Sequence, residues 1–300
     1  MAKMSQDERR AYSAQMRAEL ETVMDRAYGA MVASQEFWTV VMRTAATLSD
    51  CTPVNAIAIA AQCPTATRVL SAGNWKKAGR HPAKGSTSIR IWTPIKRRTA
   101  TGQDAPEATG DSQQAPTGAT AEATVEGSPR KVSGYKAGPV FDLSQTEGDD
   151  CEPPAAPAPL PAFVIRDVLV AQYREAYGED PETVSGFDLG RDAPDNAARI
   201  LLYGHAWRRI TQADAPIPGQ HAAEVASAAH VAALILGITP GPAVMPPLAG
   251  IITSDRKPPV QVSAVRAIET GRAIAKAVTA ATATARPAVE SGTRELAMIG

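Results

Sequence analysis

Apolar residues recur at helical intervals from the start of the chain. Tyr12, Met16, Leu20, Val23 and Ala27 follow one another three or four positions apart, with Arg9, Arg10, Glu19 and Asp25 among the polar positions, which predicts an amphipathic helix. Ser5-Gln6-Asp7-Glu8 fits the capping-box spacing, a Ser followed three residues later by Glu, so the helix is expected to begin there. A second helix is predicted over Ser34 to Leu48, with Phe37, Trp38, Val41 and Ala45 turned inward. Thr52-Pro53 supplies an N-cap and a proline at the first helical position. The third helix therefore runs through Val54 to Gln62 and ends near Cys63-Pro64.

The period then changes from helical to twofold. Ser88 to Trp92 alternates, so Ile89 and Ile91 share one strand face while Arg90 and Trp92 share the other. Gly138 to Leu143 reads as a second strand. Between them, residues 99–131 are rich in Ala, Thr, Gly, Pro, Gln and Glu. Such a composition buries too little surface to fold, which predicts a disordered insert between two paired strands. A proline-rich linker is expected over residues 151–162. Beyond it the pattern is helical: Ile165 to Tyr177, Pro194 to Gln212, His221 to Ile238, and Val262 to about Ala283. The expected fold class is α+β, a small mixed helix and sheet domain over 1–150 and a mainly helical domain over 163–285. A loose tail is expected over 286–300.

Composition adds bounds. Lys plus Arg equal Asp plus Glu at 31 each, and 44% of residues are apolar, which disfavours a wholly disordered chain. Three cysteines without a CxxC pair exclude a disulfide scaffold or cysteine zinc finger, and a reducing cytoplasm fits best. The start of the chain has charge but no following apolar core, so no signal peptide is expected. Val225 to Ser254 lacks charge but is cut by Thr239-Pro240-Gly241-Pro242 and Pro246-Pro247, so no membrane span is expected.

Local charge is far from neutral. From Cys51 to Gln103 there is no Asp or Glu, against nine cations: Arg68, Lys76, Lys77, Arg80, Lys84, Arg90, Lys96, Arg97 and Arg98. From Asp104 to Glu152 ten carboxylates outweigh Arg130, Lys131 and Lys136. A basic block of this kind is an electrostatic footprint for a polyanion, or else a solvated face.

The run Pro53 to Val69, continued by Trp75, Gly79-Arg80, Lys84-Gly85, Ile89, Pro94 and then Val140 to Gly148, resembles the N-terminal domain of the ArdC-type antirestriction proteins. The likeness covers about Trp38 to Gly148. It implies a single-stranded DNA-binding domain, typically followed by a zincin-like metallopeptidase domain, in proteins of phages, plasmids and bacterial chromosomes. The family continues Lys-Gly with Glu-Lys-Gly, whereas this chain has Lys84-Gly85-Ser86-Thr87-Ser88.

Elementary chemistry points the same way. Sequence-tolerant binding of a single strand needs cations for phosphates and flat side chains for bases. Lys76, Lys77, Arg80, Lys84 and Arg90 supply the first and Trp92 and Tyr135 the second. Asn55 and Gln62 stand two helical turns apart, so both amides can reach sugar or base edges from one side. Trp75 reads as core.

A zincin needs His-Glu-x-x-His on a helix. The chain has none. In the nearest register, Leu201 and Leu202 stand where the first His and the Glu belong, His205 remains, and Ala226 replaces the second Glu of the family's Glu-x-Glu, which begins at Glu224. The resemblance thus implies a degenerate peptidase domain and no enzyme activity, with no cofactor. Two alternatives remain: a divergent zinc hydrolase using His205, His221 and Glu224, and an interaction protein whose helical half meets a protein partner while its DNA-type domain is vestigial.

Overall fold

The computed structural model describes residues 5–98, 130–151, 160–185, 188–211, 219–248 and 258–296. The fold is α+β, with a small antiparallel sheet among many helices. The expected insert and proline-rich linker lie almost wholly outside the described residues. The chain divides into two compact units, one of residues 1–27 and 50–151, the other of 28–49 and 152–300. One division falls between residues 151 and 152, and residues 28–49 group with the second unit. Their buried Trp38, Val41 and Met42 pack with later helices, which a linear reading does not weigh.

In the first unit, helix α1 (Gln6–Ala33, whose residues after Ala27 belong to the second unit) starts at Ser5. The Ser5 hydroxyl accepts from the Glu8 amide at 3.2 Å, and the Glu8 carboxylate accepts from the Ser5 amide at 2.7 Å. This is the capping box that the spacing predicts. Met16, Leu20, Met24 and Ala27 form the buried stripe. Tyr12, expected inward, is instead exposed, one turn outside that stripe.

Helix α3 (Pro53–Gln62) is buried at every position from Pro53 to Ala60, its N-terminus closed by the Thr52 hydroxyl. After it come β1 (Val69–Leu70), α4 (Ala72–Lys77), β2 (Arg80–Pro82), β3 (Ile89–Arg98), β4 (Arg130–Asp142) and β5 (Thr146–Gly148). Of these, only parts of β3 and β4 were legible as regular elements. The others span two to six residues, too short to establish a period. The main sheet has the order β1-β4-β3, and β2 pairs with β5 separately, all antiparallel. The β2–β5 pair requires glycine at 148: φ is +134°, and a Cβ there would fall 2.9 Å from the Arg80 Cα.

Trp75 is fully buried and donates its indole N–H to the Phe141 carbonyl at 2.8 Å. Asp142 sits at the end of β4 and gathers the loops around it. Its carboxylate accepts from the amides of Thr67 (2.8 Å), Arg68 (3.1 Å) and Ser144 (3.0 Å) and from the Ser144 hydroxyl (2.6 Å). Burial pushes this carboxyl up, but the hydrogen bonds from Ser144, Thr67 and Arg68 outweigh it and hold it below its ordinary value.

The second unit contains α2 (Gln35–Thr47), α5 (Ala162–Tyr177), α6 (Pro181–Ser185), α7 (Pro194–Thr211), α8 (Gln220–Leu236) and α9 (Pro259–Leu296). Helix α8 is its centre, packed against α2, α7 and α9 and buried along most of its length. Helix α9 continues through Pro287 to Leu296, so most of the expected loose tail is helical backbone. Trp38 donates to the Ser227 hydroxyl at 2.9 Å, and the Arg272 guanidinium closes the end of α2 on the carbonyls of Ala45 (2.6 Å) and Leu48 (3.0 Å).

Candidate nucleic-acid interface

The nine residues expected to hold DNA fall into distinct structural roles. Asn55 and Gln62 do face one side of α3, as their spacing requires, but both carboxamides are occupied. Asn55 donates to the Trp92 carbonyl and accepts from the Trp92 amide, both at 2.9 Å. Gln62 does the same with Arg90, again at 2.9 Å in each direction. These two amides close the outer edge of β3 in place of another strand. Their assignment to sugar or base edges is corrected: their polar atoms are used in the fold.

Arg80 is likewise committed. Its Nε donates to the Thr146 hydroxyl at 2.9 Å, and its Nη atoms reach the carbonyls of Thr146 (2.8 Å) and Asp149. The guanidinium bonds β2 to β5 and the chain just beyond, which removes Arg80 from the set of free cations. Arg90 pairs with Glu19 of α1 at 3.7 Å and donates to the Ser88 hydroxyl at 2.7 Å. Its carboxylate partner lies 71 positions away in the chain, outside the carboxylate-free block, so the linear charge count missed it.

The remaining residues are accessible. Lys76 and Lys77 are exposed at the C-terminal end of α4, where cations also suit the helix dipole. Lys84 is exposed on a turn closed by the Ser86 amide on the Ala83 carbonyl at 3.1 Å. Gly85 in that turn has φ +85°, and a Cβ there would meet nothing within 4 Å, so open space lies beside the backbone. Trp92 is partly exposed, with the Arg17 guanidinium 5.9 Å from its ring centroid. Tyr135 is half-buried directly opposite Pro94. Strand periodicity puts Pro94 on the face of Arg90 and Trp92, so Tyr135 shares that face.

What the linear reading missed is the extent of the hairpin. The sequence pattern alone ends the strands short, at Trp92 and at Gly138, with residue 131 in the insert. Instead β3 continues to Arg98 and β4 begins at Arg130. The register sets Arg97 opposite Lys131, Arg98 opposite Arg130, and Thr93 opposite Lys136. Cations counted in two blocks of opposite sign thus belong to one ribbon. The alternation of Ile91, Thr93 and Ile95 with Trp92, Pro94 and Lys96 was the available signal.

The proposed zinc ligands do not assemble. His205 is buried, with Nε2 2.9 Å from the Leu169 carbonyl and its ring edge-on to Tyr173. Burial pulls its pKa down, against the opposing effect of the Leu169 carbonyl. Glu224 is fully buried and accepts from Gln220 (2.9 Å), the Ser263 hydroxyl (2.6 Å) and Arg266 (2.9 Å). His221 instead lies against Trp207, ring centroids 4.3 Å apart. Among the described residues no group of three or more His, Cys, Asp or Glu is placed to hold a metal ion. The convergence of His205, His221 and Glu224 is therefore corrected.

No protein-family model, curated protein or solved structure matches the chain. Among the described residues, no helix is long and apolar enough to cross a membrane.

Proposed function

We propose that this protein binds single-stranded DNA without sequence preference, as the resemblance to the ArdC-type antirestriction proteins implies. Its first unit makes the contact, and its helical unit is a peptidase-like domain without hydrolytic machinery. Binding would shield an unpaired strand from nucleases.

One observation carries the reading. The carboxylate-free stretch from residue 51 to 103 supplies α4, the Lys84 turn and β3 of one unit, and the β4 register adds Lys131 and Lys136 to the same hairpin. Lys76, Lys77, Lys84 and Lys136 are exposed in this unit; Trp92 and Tyr135 are half-open on one face of the hairpin, and Lys136, opposite Thr93, stands on the other. Cations and flat rings are the two components that a single strand requires.

Fluorescence anisotropy with a labelled oligonucleotide at two salt concentrations tests the proposal. Binding should be present at low salt and weaken steeply as salt rises, since released counterions supply much of the affinity. Absence of binding at low salt removes the reading. Lys84→Ala should weaken binding to all sequences alike without loss of stability. Arg80→Ala should act mainly on stability, through its bonds to Thr146 and Asp149.

A further inference from the structure

Helix α1 meets strand β3 at two positions that carry the chemistry of the interface. Its buried stripe runs through Met16, Leu20 and Met24. At about 100° per residue, Arg17 and Glu19 stand on opposite flanks of that stripe. On one flank the Arg17 guanidinium lies 5.9 Å from the centroid of the Trp92 ring. On the other the Glu19 carboxylate pairs with the Arg90 guanidinium at 3.7 Å. Arg90 and Trp92 are two residues apart on one strand and so share a face. The helix therefore crosses β3 where a cation and a ring stand side by side.

The contact at Arg90 has the chemistry of a phosphate contact. A carboxylate and a phosphate each offer a guanidinium anionic oxygens in matching geometry. The stretch from residue 51 to 103 holds no carboxylate of its own, so the anion that balances Arg90 comes from α1. A bond from Arg90 to the Ser88 hydroxyl at 2.7 Å orients the guanidinium, and Glu19 balances its charge. Arg17 is matched in the same way, by Glu21 at 2.9 Å. Both cations on this side of the hairpin thus meet carboxylates of one helix.

The Arg90 pair is also open to exchange. The Arg90 side chain keeps 21% of its surface exposed and Glu19 keeps 44%, so an incoming anion reaches both. An ion pair this exposed is weak, and replacing one anion by another costs little.

Resting on the single-strand reading above, we propose that Glu19 is a stand-in for a DNA phosphate. In the free protein it holds Arg90. An arriving strand exchanges the carboxylate for one of its own phosphates, and Arg90 becomes a contact beside the base stacked on Trp92. Helix α1 thereby sets the affinity of the site, because a strand gains Arg90 only by outcompeting Glu19.

The test uses the full chain and a labelled oligothymidylate, read by fluorescence anisotropy at about 0.1 M salt, where charges more than about 10 Å apart are largely screened. Glu19→Gln removes the charge at nearly the same helix propensity, so α1 stays intact. It should tighten binding about two- to fivefold, the scale of an exposed ion pair, and the gain should shrink as added salt screens the pair. Asp25→Asn makes the same change of net charge at an exposed position about 9 Å further along the helix axis and should leave affinity almost unchanged. In an Arg90→Gln background Glu19→Gln should have no effect. In an Arg90→Lys background the gain should persist, which separates the charge of residue 90 from its part in folding. If wild type binds and Glu19→Gln binds no more tightly, or if the gain survives Arg90→Gln or is lost with Arg90→Lys, the inference is overturned while the single-strand reading stands. Failure of wild type and Glu19→Gln alike to bind, even at low salt, overturns that reading and the inference with it.

Discussion

The carboxamide of Asn55 forms a two-point hydrogen bond with the backbone of Trp92, donating to its carbonyl and accepting from its amide at 2.9 Å each. Gln62 repeats the contact at Arg90. The two amides stand about 10.5 Å apart along the helix axis, at 1.5 Å per residue. The two backbone sites they meet are only about 6.8 Å apart along the strand. Gln62 narrows the gap by folding back one turn, its amide also donating to the Ala58 carbonyl at 2.8 Å. A side-chain amide carries the same donor and acceptor as a peptide group, so α3 presents β3 with two substitutes for a neighbouring strand.

Asn55→Ala should therefore lower the stability of the first unit, by about 1–3 kcal/mol for backbone groups left unpaired at a covered edge. Chemical denaturation followed by Trp fluorescence measures it. Asn55→Asp should also destabilise, because it keeps the acceptor for the Trp92 amide but sets an oxygen against the Trp92 carbonyl. The affinity of the folded fraction for an oligonucleotide should stay unchanged in both. A loss of affinity at full stability would return Asn55 to the interface.

The same pair shows how far the sequence could be read. The capping box at Ser5, the Thr52-Pro53 start of α3 and the four long later helices were legible because each rests on local chemistry or on a period sustained over several turns. The shared face of Asn55 and Gln62 was legible too, since helical spacing fixes it. Their role was not. Spacing says which way a side chain points, and a partner far along the chain decides what it meets. Arg80 and Arg90 illustrate the same limit, since Thr146 and Glu19 came within reach only through tertiary structure. The cationic hairpin was hidden for a further reason: its two strands are separated by 31 residues, and strand pairing leaves no trace in linear charge.

Acid should unfold the two units in different ranges. In the second unit His205 and His230 are buried, and burial holds both below the usual imidazole value. The unfolded chain then binds more protons than the folded one, so stability is full above about pH 6.5 and falls as pH drops through the depressed folded values. In the first unit Asp142 is held below its ordinary value, so its contribution is intact above about pH 4 and is lost only as pH falls further. Hydrogen exchange between pH 7 and pH 4, read separately over each unit, should show the second loosening first. His205→Gln, which keeps a donor for the Leu169 carbonyl, should reduce its sensitivity in this range. Simultaneous loosening of both units above pH 5 would contradict the assignment.

Glu224 separates a structural carboxylate from a metal ligand. It is fully buried, and its oxygens are taken by Gln220, Ser263 and Arg266, which joins α8 to α9. Removing one partner of such a pair leaves the other uncompensated, at a cost of about 3–5 kcal/mol where both are buried. The Arg266 side chain retains 26% exposure, so solvent takes up part of that cost and Glu224→Ala should fall at or below the lower end. Glu224→Gln should cost less, since it keeps one acceptor while losing the charge that balances Arg266. Zinc adds a second discriminator, because a ligand that binds only the folded state raises the melting temperature in proportion to the logarithm of its concentration. With Glu224 held by Arg266, His205 turned to Leu169 and His221 against Trp207, zinc should leave the melting temperature of wild type and Glu224→Gln equally unmoved. A zinc-dependent rise in the wild type that vanishes in Glu224→Gln would instead make this carboxylate a ligand.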